Sequence, residues 1–449
     1  MNEDNKIMRT VRCRNDQTYG TLGHLLIAIA EAGGDVGEIR IIHETHRDMI
    51  RDVTIYANNE TQMNQILEAI ANNPGTRVME VRDEVLELHQ KGKIAIRSRF
   101  KIDSLATLRR VYTPGVAEVC TRIAADPSLG RLYTAVGHLV AIVTDGTAIL
   151  GLGDIGPLAG MPVMEGKAML METLVGLSGV PILLNSKDVE QIVATVATIA
   201  PTFAAIQLED ISAPRCFEIE RRLQEQLDIP VMHDDQHGTA VVTTAALTNA
   251  CRQTGIDLCN ARIGQIGLGA AGNATGQMLM DLTGNPVMGA DLSEEALQRF
   301  AQVGGQPSNL NEIMAQADIV IATTGAPGLI KPEMVRKGQI ILALSNPRPE
   351  IDPELAKAAG AVFAADGKSV NNVLGFPGIL RGSIDSQAPY ISREMYLAAA
   401  ETIADLAPEG ELVPNPLDTE VHKAVARAVA YKAIEQGLAH QDFVPYVEE

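Results

Sequence analysis

Residues 261–280, ARIGQIGLGAAGNATGQMLM, run from a short apolar strand through a glycine-rich turn into a helix. The turn has the spacing Gly267-x-Gly269-x-x-Gly272, which is typical of dinucleotide-binding folds. Gly267 permits a tight turn, Gly269 lets the backbone approach a pyrophosphate, and Gly272 lets helix and strand pack closely. Free N–H groups at the start of the helix can bind the phosphates. The stretch therefore predicts a Rossmann-type domain that contacts its cofactor at these three glycines.

An acidic residue follows the glycine motif at the end of the next predicted strand. Asp291 lies in NPVMGADLSEE, about 20 residues beyond the glycines. A carboxylate at this point accepts hydrogen bonds from both ribose hydroxyls and repels a 2′-phosphate, so it favours NAD over NADP. A nearby basic side chain would reverse this preference. The alternative for the whole motif is a glycine turn that binds no cofactor.

Predicted strands and helices alternate on both sides of this motif. From LVAIVTDG to PVMHDD, apolar strand-like runs are separated by helical ones, which is the pattern of an α/β domain with a mainly parallel sheet. We predict a substrate and metal domain over residues 86–235 and the Rossmann domain over residues 236–385. Residues 386–449 are predicted to form a helical segment that packs on the preceding domains.

The N-terminal residues 1–85 form a predicted domain of another class. Its order, βαββαβ, gives a ferredoxin-like antiparallel sheet with both helices on one face. Each helix carries apolar residues at i, i+3, i+4 and i+7: Leu22, Leu25, Leu26 and Ile29, then Met63, Ile66, Leu67 and Ile70. The Tyr-Gly-Thr-Leu entry to the first helix resembles that of the ACT domain, a small effector-binding module. The alternative is a ferredoxin-like dimerisation domain without a ligand.

Two pairs of acidic residues end two predicted strands. Glu209 and Asp210 close AAIQLED, and Asp234 and Asp235 close IPVMHDD before a helix. Strands of a parallel sheet deliver their ends to one edge, where these acids would repel one another unless a cation lay among them. Hard oxygen ligands select Mg²⁺ or Mn²⁺. The alternative is a set of helix N-caps and solvated loop acids.

Two further side chains could carry protons. Lys167 follows a glycine-rich loop, in GLGDIGPLAGMPVMEGKAML, and Tyr112 lies in VYTPGVAEVC. A lysine that is desolvated and close to a metal could have its pKa lowered enough to act as a base. Taken alone, Lys167 is more typical of a surface helix than of an active site, and Tyr112 is more typical of a protein core.

The composition and the N-terminal residues indicate which partners and which location are expected for the protein. The formal net charge of −19 argues against nucleic acid or an anionic membrane as the main partner. The five cysteines are scattered without a Cys-x-x-Cys pair, which argues against a disulfide framework or a zinc site. The N-terminus, MNEDNKIMRT, lacks the apolar core of a signal peptide, so we expect a cytoplasmic protein.

Seven segments, in this order, resemble the signature segments of the bacterial branch of the malic enzyme family. They are VYTPGVAEVC, ILGLGDIGPLAGMPVMEGKAML, IQLEDI, PVMHDDQHGTA, IGLGAAGNATG, ALSNPRPEI and NNVLGFPGILRG, and they span roughly residues 100–385. The resemblance implies oxidative decarboxylation of malate to pyruvate and CO₂ with a nicotinamide cofactor and Mg²⁺ or Mn²⁺. It also implies roles for individual residues: Lys167 as general base, Tyr112 as general acid, Asp234 as support for the lysine, Glu209, Asp210 and Asp235 as metal ligands, and Asn346 and Asn372 as substrate-binding amides.

The sequence departs from the family pattern in places. Arg348 stands where the family more often has threonine, the run before Asn371 is shorter, and an ACT-like domain is not general in the family. ACT domains commonly pair across subunits, so a homodimer or larger assembly is expected, with a small metabolite as effector. Three other functions stay open: a malolactic enzyme that releases lactate and keeps NAD bound, a sensor with a degenerate catalytic half, and an amino-acid dehydrogenase.

Overall fold

The structure, a computed structural model, describes residues 6–149, 151–369 and 372–439. The chain forms two compact units, Met1–Ala95 and Ile96–Glu449. The ends of the first and last predicted domains, residues 1–5 and 440–449, lie outside the described residues. In the described part of the chain, no helix is both long enough and apolar enough to cross a membrane.

The first unit is a four-stranded sheet with two helices on one face. Its elements are β1 (Ile7–Asp16), α1 (Thr21–Glu31), β2 (Asp35–Glu44), β3 (Asp48–Ala57), α2 (Glu60–Ala71), β4 (Thr76–Arg82) and the short α3 (Glu84–His89). The strands lie in the order β2-β3-β1-β4, and all their pairings are antiparallel. Leu25, Ile29, Ile66 and Ile70 pack on Val11 from the sheet, because their helical spacing puts them on one side of α1 and α2.

The first half of the second unit carries a parallel sheet. Its elements are α4 (Leu105–Val111), α5 (Gly115–Ala125), α6 (Leu129–Tyr133), β5 (Leu139–Thr144), α7 (Pro157–Val175), β6 (Ser178–Leu183), α8 (Val189–Ile199), β7 (Ala205–Leu208), α9 (Arg215–Gln226), β8 (Val231–His233) and α10 (Asp234–Thr254). The strand order is β6-β5-β7-β8, and every pairing is parallel. The predicted parallel sheet is confirmed.

A six-stranded parallel sheet forms the second half of this unit. Its elements are β9 (Ile263–Ile266), α11 (Ala270–Thr283), β10 (Met288–Ala290), α12 (Glu294–Gln302), β11 (Gln306–Pro307), α13 (Leu310–Gln316), β12 (Ile319–Ala322), β13 (Ile340–Ala343), α14 (Pro353–Ala359), β14 (Phe363–Asp366), α15 (Phe376–Asp385), α16 (Arg393–Asp405) and α17 (Thr419–Glu435). The order β11-β10-β9-β12-β13-β14 is that of a Rossmann fold, which confirms the prediction.

The boundary predicted between residues 235 and 236 falls inside the first turn of α10. Asp234 and Asp235 were predicted to end a strand, but they open this helix instead. Acidic side chains are stabilised there by the positive end of the helix dipole. The Nδ2 atom of Asn249, near the other end of α10, donates to the carbonyl groups of Ala404 at 2.8 Å and Leu412 at 2.9 Å. These contacts hold the C-terminal helices against α10.

Phe300 is a fully buried side chain of the Rossmann half, and three glycines surround its ring. An added Cβ would lie 2.5 Å from the ring at Gly276, 2.4 Å at Gly289 and 2.2 Å at Gly305. These distances are far below van der Waals contact, so the glycines make room for the ring. The phenyl group therefore fills the space between α11, β10 and the chain before β11.

We expect Phe300→Ala to lower the free energy of unfolding by about 3–5 kcal/mol, because the three glycines have no side chains that can fill the cavity. Urea denaturation followed by circular dichroism measures this loss. The control is Phe100→Ala, whose side chain is 68% exposed, with an expected change within about 0.5 kcal/mol. Equal losses in the two variants would contradict the central place given to Phe300.

Candidate active site

A buried lysine lies at the centre of the site. Lys167 is carried by α7 and is only 8% exposed. Its Nζ atom contacts Oδ2 of Asp234 and lies 3.0 Å from Oε1 of Glu209. The same atom lies 4.6 Å from the centroid of the Phe376 ring, a cation–π distance. Two anions and an aromatic face therefore surround this ammonium group.

The charges around Lys167 set its protonation. Burial by itself lowers the pKa of this lysine, but Asp234 and Glu209 outweigh burial, so the pKa lies above its ordinary value. The lowered pKa expected from the sequence presupposed a metal close to the lysine, and it did not include two carboxylates in direct contact. Burial also raises the pKa of Asp234, against the opposing effect of Lys167. In this arrangement the lysine therefore keeps its proton, in contact with Asp234.

The three predicted metal ligands lie together at the sheet edge. Glu209 and Asp210 follow β7, and Asp235 is the second residue of α10. One oxygen from each of the three lies within 4.8 Å of the other two. The backbone N–H of Asp210 donates to Oδ2 of Asp235 at 2.9 Å, and Nε2 of Gln207 donates to Oε2 of Glu209 at 2.6 Å. These hydrogen bonds fix the carboxylates in converging positions.

The backbone at Asp210 is strained in a way that serves this convergence. Its φ angle is 53°, in the left-handed region, which costs a residue with a side chain about 1–3 kcal/mol. The carbonyl group of Asp210 accepts a hydrogen bond from the N–H of Ala148 at 3.0 Å. The hydrogen bonds made by the N–H and C=O groups of Asp210 hold this backbone conformation, and its side chain converges with that of Asp235.

The chemistry of these residues fits a divalent cation. All three offer carboxylate oxygens, the ligands that Mg²⁺ and Mn²⁺ prefer. Burial raises the pKa of Glu209 well above its usual range, and the neighbouring Asp234, Asp235 and Asp210 raise it further, against the effect of Lys167. Positive charge among the acids would relieve this repulsion.

Asn372 joins the site from the chain before α15. Its Nδ2 atom donates to Oδ2 of Asp234 at 2.9 Å, so this oxygen accepts from both the amide and Lys167. Gly238 leaves space for the same carboxylate, since a Cβ there would lie 2.0 Å from Oδ1 of Asp234. A side chain at position 238 would therefore displace the acid that contacts the lysine.

The glycine motif has the geometry of a dinucleotide site. Gly267 has a φ angle of 86°, and a Cβ there would lie 2.7 Å from the carbonyl oxygen of Thr323. A Cβ on Gly272 would lie 1.9 Å from the carbonyl oxygen of Gly267. At Gly269, the N-cap of α11, an added Cβ would meet no atom within 4 Å. That open space beside a helix N-terminus fits a pyrophosphate.

Asp291 lies directly after β10 and contacts the glycine loop. Its Oδ2 atom accepts from the N–H of Leu268 at 2.7 Å, and its Oδ1 atom accepts from the N–H of Ser293 at 2.8 Å. The carboxylate is therefore held beside the cradle of the glycine motif, on the side where a ribose would lie.

Two predicted residues lie outside the cluster around Lys167. Asn346 is exposed in the loop after β13, and its carbonyl oxygen would lie 3.4 Å from a Cβ on Gly151, so this loop approaches the glycine-rich loop before α7. Tyr112 ends α4 with a side chain that is 66% exposed. Among the described residues, its hydroxyl makes no hydrogen bond to Lys167, Asp234 or the metal-site acids. Arg348 is exposed as well.

Three side chains around the site were not predicted from the sequence: Gln207, Glu220 and Phe376. Gln207 points from β7 toward Glu209, and Phe376 faces Lys167 from the start of α15. Glu220 looks like an ordinary charged residue of the amphipathic helix RCFEIERRLQEQL. A polar residue inside the apolar run AAIQL was the available signal for Gln207, whereas nothing in the local sequence marked the other two.

Comparisons with known proteins place the chain in a family. The family description "Malic enzyme, N-terminal domain" matches residues 90–224. The chain is 54% identical to NAD-dependent malic enzyme 1 of Bacillus subtilis over 430 residues, which is 95% of this chain and 98% of that protein. It is 42% identical to the NAD-dependent malic enzyme of Geobacillus stearothermophilus, over 97% of this chain and 96% of that protein.

A solved structure gives the same result. The crystal structure of malic enzyme from Pyrococcus horikoshii superposes with a TM-score of 0.77 at 40% identity, over 80% of this chain and 92% of that one. The match therefore includes the architecture as well as the sequence. On these grounds, the chain belongs to the malic enzyme family.

Proposed function

We propose that this protein is a divalent-metal-dependent malic enzyme, which oxidises L-malate and decarboxylates it to pyruvate and CO₂. The observation that carries the proposal is the contact of Lys167 with Asp234 and Glu209, beside the converging acids Asp210 and Asp235. A buried amine next to a cluster of oxygen ligands is suited to proton transfer at a chelated hydroxy acid. An amino-acid dehydrogenase would have no need of these clustered acids.

The glycine loop would hold NAD as the hydride acceptor, and Glu209, Asp210 and Asp235 would hold a divalent cation, which would polarise the substrate hydroxyl and offset the acids that raise the pKa of Lys167. Lys167 takes the proton of the C2 hydroxyl. Asp234 holds the amine in place through its contact with Nζ. Asn372, hydrogen-bonded to Asp234, and Asn346 bind the substrate as amide donors.

Tyr112 is the proposed acid that protonates C3 after CO₂ has left. Its exposed position at the end of α4 means that this role needs closure of the site or assembly of subunits. We propose a homodimer or larger assembly, because α4, α5 and α6 have no buried residue and their apolar side chains Leu105, Val111 and Leu132 are exposed. Sedimentation of the full chain tests this proposal, and a monomer at assay concentrations would overturn it.

The preferred cofactor is proposed to be NAD. Asp291 lies where a 2′-phosphate would meet a carboxylate, and its chain neighbours Ser293, Glu294 and Glu295 add no positive charge. We expect kcat/KM for NAD to exceed that for NADP at least about tenfold, since like charges in contact are strongly unfavourable. Purified protein with L-malate and Mn²⁺, assayed with each cofactor, measures the ratio. A preference for NADP would contradict the role of Asp291.

The same assay tests the reaction itself when reduced cofactor and pyruvate are followed together. We expect the two products in equal amounts. Malate that disappears into lactate without net reduced cofactor would show the malolactic reaction instead. An inactive enzyme that still binds NADH and Mn²⁺ would favour a degenerate catalytic half.

The first unit is proposed to be an ACT-like regulatory domain in a cytoplasmic enzyme. Its βαββαβ order and its antiparallel sheet with α1 and α2 on one face support this proposal. Titration of amino acids and acyl metabolites against the activity of the full chain is the direct test, because an effector must change affinity or turnover. No response to any of them would favour a dimerisation domain without a ligand.

A further inference from the structure

Glu220 is a buried acid on α9 that has no part in the chemistry described above. Its Oε1 atom accepts from the backbone N–H of His233 at 2.7 Å. Its Oε2 atom accepts from Nε2 of Gln236 at 2.9 Å and from Nε2 of His237 at 3.1 Å. All three donors belong to the junction where β8 ends and α10 begins. One carboxylate on a neighbouring helix therefore holds this junction.

The junction carries two acidic residues of the candidate active site. Asp234, which contacts Lys167, and Asp235, which completes the three-acid cluster, are the first two residues of α10. The N-cap residue of α10, His233, makes no capping hydrogen bond with its side chain. The carboxylate of Glu220 binds the free N–H group there and places negative charge at the positive end of the helix.

The surroundings of Glu220 hold it in the charged form. Burial alone would raise the pKa of this acid, but His237 and His233 outweigh burial, and the pKa lies below its ordinary value. The ring of His237 stacks on Tyr396 from α16, with 4.6 Å between centroids and 7° between planes. The histidine is thus fixed from two sides, by an acid and by an aromatic ring.

We propose that Glu220 is a positioning residue, which sets the first turn of α10 so that Asp234 faces Lys167 while Asp235 faces Glu209 and Asp210. The inference rests on the proposed function. Successive residues of a helix point about 100° apart, so a small rotation of this turn would move both acids out of place together. A carboxylate with three donors from the turn prevents that rotation.

The decisive variant is Glu220→Gln, which keeps the size of the side chain. Its NH₂ group takes the place of one carboxylate oxygen, so at least one of the contacts with His233, Gln236 and His237 is lost or must exchange donor and acceptor. The control is Glu225→Gln, on the same helix, where the acid is exposed and pairs with Arg221 on the surface. Both variants remove one negative charge from α9.

The first readout is the affinity for Mn²⁺ alone, measured from the electron paramagnetic resonance signal of the free ion without malate or cofactor. We expect Glu220→Gln to weaken Mn²⁺ binding about 10–100-fold, as when a partner of a metal ligand is lost. The kcat value with malate falls by a similar factor, whereas KM for NAD stays unchanged because the glycine loop is untouched. Glu225→Gln behaves like the unaltered protein in every measurement.

Affinity and turnover equal to those of Glu225→Gln would overturn the inference. If Glu220→Gln does not fold, His237→Ala replaces it as the test, since it removes one of the three donors and leaves the acid in place. We then expect about tenfold weaker Mn²⁺ binding, and unchanged binding would overturn the inference. An unaltered protein that fails to oxidise malate, together with weaker Mn²⁺ binding in Glu220→Gln, would reject the proposed function and keep the positioning role.

Discussion

Lys167→Ala is expected to lower kcat for malate oxidation by about 10²–10⁴-fold, the range for loss of a positioned proton carrier. The alanine cannot accept the proton of the substrate hydroxyl, and it leaves Asp234 and Glu209 buried without their cation. Binding of NADH, followed by its fluorescence, stays near that of the unaltered protein, because the glycine loop is carried by other elements. Steady-state kinetics of the purified variant give the result.

A second variant separates chemistry from charge. Lys167→Arg keeps a cation beside both acids, but guanidinium stays protonated at any working pH and cannot act as a base. We expect it to be nearly as inactive as Lys167→Ala while folding more stably. Partial rescue of Lys167→Ala by a small added amine would support the role of the lysine in proton transfer. Activity of Lys167→Ala above about a tenth of that of the unaltered protein would reject the assignment.

Asp235→Ala is expected to weaken the affinity for Mn²⁺ at least about 100-fold, because it removes one of three converging oxygen ligands. It also removes the acceptor for the N–H of Asp210, a residue whose backbone is strained. Calorimetric titration with MnCl₂ measures the affinity, and the concentration of Mn²⁺ at half-maximal activity follows it.

The matched control is Asp228→Ala, which removes the same charge from an exposed position just before β8. Its Mn²⁺ affinity and activity should match those of the unaltered protein. If Asp235→Ala required no more Mn²⁺ than this control, the three acids would not be the metal site, and the reason for their convergence would have to be sought elsewhere.

Much of the fold follows from local patterns in the sequence. The spacing Gly267-x-Gly269-x-x-Gly272 between a strand and a helix fixes the Rossmann half, because the turn, the close approach and the packing each need glycine. The alternation of apolar strand-like runs with helical runs predicted the parallel sheet formed by β5 to β8. The position of Asp234 and Asp235 at the start of α10 was harder to predict. The helix begins two residues earlier than the sequence suggests, and its start depends on Glu220, which binds the junction from another helix.

The residues that form the site were easier to predict from the sequence than the pKa shifts that their contacts produce. Lys167 and the acids were identified from motifs, and the structure brings them together. The direction in which the pKa of Lys167 shifts depends on contacts between α7, β7 and α10 that no local pattern encodes. The same is true of Tyr112. Its motif suggests a role in the site, but its exposed position depends on tertiary packing that the motif does not encode.

The ring of Phe300 and its three glycines behave as one unit of sequence variation. Any side chain at Gly276, Gly289 or Gly305 requires a smaller residue at position 300, and a smaller residue there opens a cavity that only a side chain at one of the three could refill. Single changes at these positions are therefore all unfavourable, whereas some double changes would be tolerated. Among relatives, we expect substitutions at the four positions to occur together, and a redesign of this core should alter them as a set.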